Sequence, residues 1–487
     1  MRKFKLNLNE QKRKYDTELD PNLVSTRVPT KSGKPIDTPT GSEKLTVGRE
    51  ALSQDPKAKD KTAAVLQSPW TETKKNKKGE VLSSEVKSYP LPPEVLKHKD
   101  PQDVLDAAQK HVERNLEWGH ERAMSLPELA GRSQQWYVGG SHIAKKLGER
   151  FEHPTHVAAA VIASQSPQKD WYQNVSLGER IMKIHKHHQD TPWSEDMDKI
   201  TTKVFNPDKK HQEILSNIKG KKLGELSDPI HKAAWIRTYD EAHHPRHHRL
   251  ITPEGEFGEH VTDTKGKRAS AAWGSFATIA NGVRAIESNG DIKKISKALG
   301  GEHKVRSFYN NILQPNAPKI VNAHGEDTRD VTVDTHAVGS SFVRPALVGS
   351  AREVSHTLSG PPASAKMGTK GTYPLLASAF RRTADKVGII PNALQSVVWD
   401  EKRASNPPKA KGGAAKKSAI EDVWKTVRAG GVGHEEALKQ IGGIMGPTGK
   451  PTWEKTKGNP LITSTFESVN NKFKKMLSEQ KSFKKRA

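Results

Sequence analysis

The chain has 487 residues, 33% of them hydrophobic and 28% charged, with 80 Lys and Arg against 56 Asp and Glu, a formal charge of +24. That length allows more than one domain, but segments that bury little apolar area cannot offset the entropy of ordering, so a compact helical part with polar extensions is expected. The charge favours a polyanionic partner, nucleic acid before membrane because no apolar stretch is long enough to span a bilayer, and the absence of cysteine excludes disulfides, thiolate nucleophiles, Cys-ligated zinc and cysteine-held clusters.

The N-terminus, Met1-Arg2-Lys3-Phe4-Lys5, is charged but reaches no apolar segment, so no secretory signal is expected. Residues 1–95 are rich in Lys, Pro, Ser, Thr and Gly without sustained periodicity and read as a basic, disordered arm. Helix is expected from Asp100-Pro101, with Val104, Leu105, Ala108 and Val112 on one face, and again through Ile143, Leu147 and Phe151. Val157 to Ala163 is apolar all round, as in a central buried helix, and runs into the polar string from Ser164 to Asp170, which includes Gln165, Gln168 and Lys169. That end could present a polar wedge to a stacked base, or be a surface loop capped by Asp170.

Residues 185–270 read as an insertion. Its two histidine strings, His185-Lys186-His187-His188 and His243-His244-Pro245-Arg246-His247-His248-Arg249, are interleaved with cations and lack clean ligand spacing, so a solvated or phosphate-facing surface is expected rather than a metal site. Helix returns at Ala271-Ala272-Trp273 and breaks at Asn289-Gly290. A short helix through Ile295 and Leu299 then ends in Gly300-Gly301, and Glu302-His303-Lys304 lead into another. Such a hairpin can hold a phosphate on backbone N–H groups, or be a simple glycine cap between core helices. In Val331-Thr332-Val333-Asp334-Thr335-His336, a β-branched run ends in a carboxylate where a helix should begin, which makes Asp334 a helix cap on its own. Phe342 and Val343 should continue that helix, and 349–371 reads as loop. Helices are expected over 373–382 and 391–403, the latter with Leu394, Val397 and Val398 apolar and Gln395 and Trp399 in positions that suit packing. Residues 404–487 form a second basic extension with one helix near Ile420 to Val427.

Three of these elements, in this order, resemble the helix-hairpin-helix DNA glycosylase superfamily, whose members include endonuclease III and the 8-oxoguanine glycosylases. Val161-Ile162-Ala163-Ser164-Gln165 is similar to its apolar helix and DNA-facing turn, and Leu299-Gly300-Gly301-Glu302-His303-Lys304-Val305 to its hairpin with a following lysine. Val333-Asp334-Thr335-His336 is similar to its catalytic aspartate segment. The hairpin is one residue shorter than the family's pattern, with His303 near where a second glycine is expected. The resemblance implies a mainly α fold with a two-lobed core over 96–403 between basic, largely disordered extensions. It also implies removal of a damaged or modified base flipped out of double-stranded DNA. Asp334 would then be the catalytic carboxylate, and water or Lys304 the nucleophile, the latter adding abasic-site lyase activity. Gln165 or Gln168 would fill the gap in the duplex, with Lys169, Gly300, Gly301, His303 and Arg306 on the DNA. No metal or cofactor is implied. A nucleic-acid packaging protein on the same fold, or a base-exchange enzyme, are the alternatives. The Cys-free core with basic tails also resembles proteins of bacteriophages, which implies host cytoplasm or virion.

Overall fold

The computed structural model describes residues 56–76, 78–263, 265–300, 303–319, 321, 327–344, 347, 349, 351–358, 372–405, 413–451 and 453. They form two compact units. One takes Val138–Ile251 and Glu259–Ala317, the other the described parts of Arg49–Tyr137, Thr252–Gly258 and Pro318–Ala487, so the first unit is inserted in the sequence of the second. The described residues are mainly helical, with short strands, and none of their helices is long and apolar enough to cross a membrane.

The first unit is built round the helix Thr155–Ser164, every residue of which except His156 is buried. With no polar face to offer water, this helix must be covered on all sides, and Trp171–His187, Phe276–Glu287 and His303–Leu313 cover it. Asp170 caps Trp171–His187 by accepting from Gln173 N at 3.0 Å, and Ser275 caps Phe276–Glu287 by accepting from Thr278 N. That helix therefore starts at Phe276, later than the expected Ala271, and Trp273 stands before it with its indole on Asp240. Asn289 and Gly290 turn the chain with φ of 52° and 84°, and Asp291 then caps Ile292–Leu299.

The histidine strings differ most from expectation. Asp228 caps a helix, Pro229–His243, that buries Ala233, Ala234, Trp235 and Ile236 completely. At its end Asp240 binds Arg180, His244 and Trp273 at 3.0, 2.9 and 3.0 Å. His188, His244 and His248 are buried with it. Each string is thus packed in part and not wholly a solvated surface: His244 is held by the Asp240 carboxylate and His188 by Thr191, while His185, His243 and His247 are half-buried and His187 is exposed.

The second unit is organised on the helix Pro101–Met124, capped by Asp100 at Gln102 N. Tyr373–Val387, Pro391–Ser405 and Thr335–Ser341 pack on it, and Thr383 Oγ1 donates to the Glu113 carbonyl about 270 residues back. Pro56–Gln67 packs on the same long helix, a ribbon pairs Trp70–Lys75 with Val81–Lys87, and Leu66, Tyr89, Leu91 and Val95 are buried. The arm expected over 1–95 is thus folded in its described part, from residue 56. The ribbon escaped a periodicity reading because Val81, Leu82 and Val86 are all well exposed, so no inside–outside alternation exists. In the second extension Gly413–Arg428 and His434–Met445 share a small core with Trp424 at its centre. Residues 1–55 and 454–487 lie outside the described residues.

Candidate functional site

In the first unit the polar turn and the hairpin come together. Lys304 Nζ, on the helix His303–Leu313, donates to the Ser166 carbonyl at 2.8 Å across 138 residues of sequence. Asn174 braces the turn: with its amide turned to the orientation its neighbours satisfy, it donates to the carbonyls of Gln165 and Asp170. Gln165 points inward, 1% exposed, with its amide nitrogen on Ser164 Oγ and the Thr278 carbonyl. Its Oε1 and the neighbouring Ser166 Oγ are buried without a hydrogen-bond partner among the described residues. Gln168 is the exposed glutamine, held at φ 58° at the apex of the turn. Lys169 beside it is half-buried, and desolvation, with Arg237 nearby, pulls its ammonium below the ordinary lysine value.

The hairpin backbone turns at Gly300, φ 67°, where a Cβ would meet nothing within 4 Å, so glycine serves the backbone conformation there and not a close contact. Gly301 lies outside the described residues. His303 and Arg306 are buried. The Arg306 guanidinium bonds the Ser296 carbonyl and hydroxyl at 3.0 and 2.8 Å, and the Gly300 carbonyl. It satisfies the orphan carbonyls at the end of Ile292–Leu299, which fixes the turn from inside.

Asp334 belongs to the second unit. Val331 and Val333 are buried, and the Tyr373 hydroxyl ties the strand-like segment down by donating to the Val331 carbonyl at 2.8 Å and accepting from Val333 N at 3.2 Å. The next residue is therefore delivered to one place, the N-cap of Thr335–Ser341. There Asp334 Oδ1 accepts from Ala337 N at 2.8 Å, and the side chain is half-buried. The helix stops at Ser341, short of the expected end, because Arg344 N bonds back to the Gly339 carbonyl and Val343 takes φ 45°.

The helix Pro391–Ser405 lies against that short helix, with Ser340 Oγ donating to the Val398 carbonyl. His336, two residues after Asp334, meets the half-buried Trp399 edge-on with ring centroids 5.8 Å apart. Trp136 also meets Trp399 by its edge at 6.0 Å, and Arg403 covers its ring at 4.4 Å. One turn back, Gln395 is 5% exposed and its Oε1 accepts from the Tyr137 hydroxyl at 2.8 Å. That bond fixes the amide, and its nitrogen makes no further hydrogen bond among the described residues. Gln395 and Trp399 were expected only to pack. Their spacing of four on one helix was the available signal, but only the contact with His336 ties it to the carboxylate.

Lys402 completes this side of the helix. It is 7% exposed, its ammonium donates to the Arg344 carbonyl, and it borders a small cavity with Asn115, Trp118, Gly339, Ser340 and Glu401. Burial pushes its pKa down to about 8, against the opposing pull of Glu401 and Asp334. No group of three or more His, Asp or Glu suited to a metal occurs among the described residues.

A family model of unknown function, DUF7178, matches residues 98–230 and 265–404, more than half of the chain. The chain belongs to DUF7178. The matched stretches hold Gln165, Lys304, Asp334, Gln395, Trp399 and Lys402, whereas Asp240 and His244 fall between them. No curated protein and no solved structure matches the chain.

Proposed function

We propose that this member of DUF7178 is a DNA base-excision enzyme, an N-glycosylase with Asp334 as its carboxylate and a two-lobed, helix-hairpin-helix glycosylase-like core. The observation that carries the reading is the constellation in the second unit: a half-buried carboxylate, an aromatic ring in contact with the residue two positions on, and a glutamine amide with one end pinned. A base flipped from the stack needs an aromatic surface and a hydrogen-bond partner of fixed orientation, while the sugar it leaves needs a nearby anion.

Breaking the N-glycosidic bond builds positive charge on the sugar. Asp334, with one oxygen held by Ala337 N–H, keeps the other to stabilise that charge and to take a proton from the attacking water. Gln395 Nε2 can only donate, so the favoured base carries a carbonyl on the edge it presents there. The net charge of +24 suits a polyanionic substrate and makes binding steeply salt-dependent. Lys304 already spends its ammonium on the Ser166 carbonyl, which favours water over the lysine as nucleophile.

The test is base release from duplexes carrying uracil, thymine mismatches, and oxidised, alkylated and hypermodified bases. Release from one class, reduced about 100-fold or more in Asp334→Asn, is expected. Undiminished release by that variant removes Asp334 from the chemistry. A borohydride-trapped adduct that disappears in Lys304→Ala would make the lysine the nucleophile. Binding without release from any duplex would leave the packaging alternative.

A further inference from the structure

Lys402 is a buried cation with no part in the steps just described. Its side chain runs past Gly339 so closely that a Cβ there would lie 2.7 Å from Nζ, so a side chain at 339 would displace the lysine's end. The ammonium ends on the carbonyl of Arg344, just beyond the C-terminus of Thr335–Ser341, while Asp334 caps the N-terminus of the same helix. A short helix bracketed by an anion at its start and a cation at its end is favoured by its own dipole, and here the cation comes from a different helix.

We propose, on the reading of Asp334 as the reaction's carboxylate, that Lys402 is its positioning residue: the buried ammonium locks Thr335–Ser341 against Pro391–Ser405 and is electrostatically paired with the Asp334 carboxylate. The charges around it are accounted for. Glu401 is held by Arg122 at 2.7 Å, the Arg344 guanidinium by Glu353 at 3.2 Å, and Lys416 by the Met445 carbonyl at 3.0 Å. Asp334 is the anion acting on Lys402 that no cation holds in a direct ion pair among the described residues. Locking matters because a carboxylate displaced by about 1 Å loses much of its effect on a transition state.

Two measurements on the full chain test this. The first needs no activity: the Cε resonance of Lys402 in protein labelled with ¹³C-lysine, assigned by its loss in Lys402→Arg, is titrated with and without Asp334→Asn. Removing the anion should let Lys402 lose its proton about one pH unit lower. An unchanged titration overturns the pairing. The second is base release. Lys402→Met should lower kcat about tenfold or more with KM unchanged, Lys402→Arg should restore most of it, and Gly339→Ala should reproduce the loss. Full kcat in Lys402→Met overturns the positioning role. If the wild type releases no base, the reading of Asp334 falls, and the titration still decides whether Lys402 is paired with it.

Discussion

Asp240 in the first unit and Asp400 in the second are both buried, at 0% and 1% exposure, yet their carboxyl groups are shifted in opposite directions. Burial pushes both pKa values up. At Asp240 the Arg180 charge and the His244 hydrogen bond outweigh burial and hold the group below the ordinary aspartate value. At Asp400 the hydrogen bonds come from Ser133, Trp136 and Trp453, at 2.6, 2.6 and 3.2 Å, and three neutral donors do not offset desolvation. The number of hydrogen bonds is equal, so the presence of a cation among the partners decides which carboxylate stays ionised.

The comparison can be broken most severely at Arg180. Arg180→Met leaves Asp240 as an unpaired buried charge and should cost about 3–5 kcal/mol, read as a fall in the denaturation midpoint. Acid should separate the two sites next. The Asp240 pKa is depressed on folding, so its contribution is present above the unfolded value of 3.8 and is lost as pH falls through the folded value. The Asp400 pKa is raised, so its contribution is complete below 3.8 and disappears as pH rises through the folded value. Melting temperatures across pH 3–7 should therefore show Asp400→Asn gaining on the wild type as pH rises, and Arg180→Met losing least at the acid end. Ser133→Ala removes one neutral donor and should cost about 0.5–1.5 kcal/mol. Smallest of all, Asp400→Asn at pH 7 should lie within about 1 kcal/mol of the wild type or above it.

Such distinctions were hidden in the sequence, where Asp240 and Asp400 look alike. Regular helices were legible: the all-apolar run Val157 to Ala163 and the cap at Asp100 announce their elements, because period and capping are local properties. Asp334 was legible as a cap for the same reason. What was not legible depends on partners far away in the chain. His244 is buried against Asp240, which Arg180 holds in turn, and Gln395 has a fixed amide because Tyr137, 258 residues before it, donates to its oxygen. The ribbon from Trp70 to Lys87 failed differently, having no buried face to impose alternation.

The insertion of one unit in the sequence of the other constrains how the protein is made. Pro101–Met124 leaves the ribosome early, but its packing partners Tyr373–Val387 and Pro391–Ser405 follow about 270 residues later. At roughly 5–20 residues per second, that is a wait on the order of 15–50 s. Over that time the apolar stripe of Val104, Leu105, Ala108 and Val112 has no native cover from those helices, while the first unit's residues from Val138 to Ala317 are being synthesised. The exposure of that stripe during synthesis is therefore set by the order of the elements in the chain and not by the stability of the finished fold.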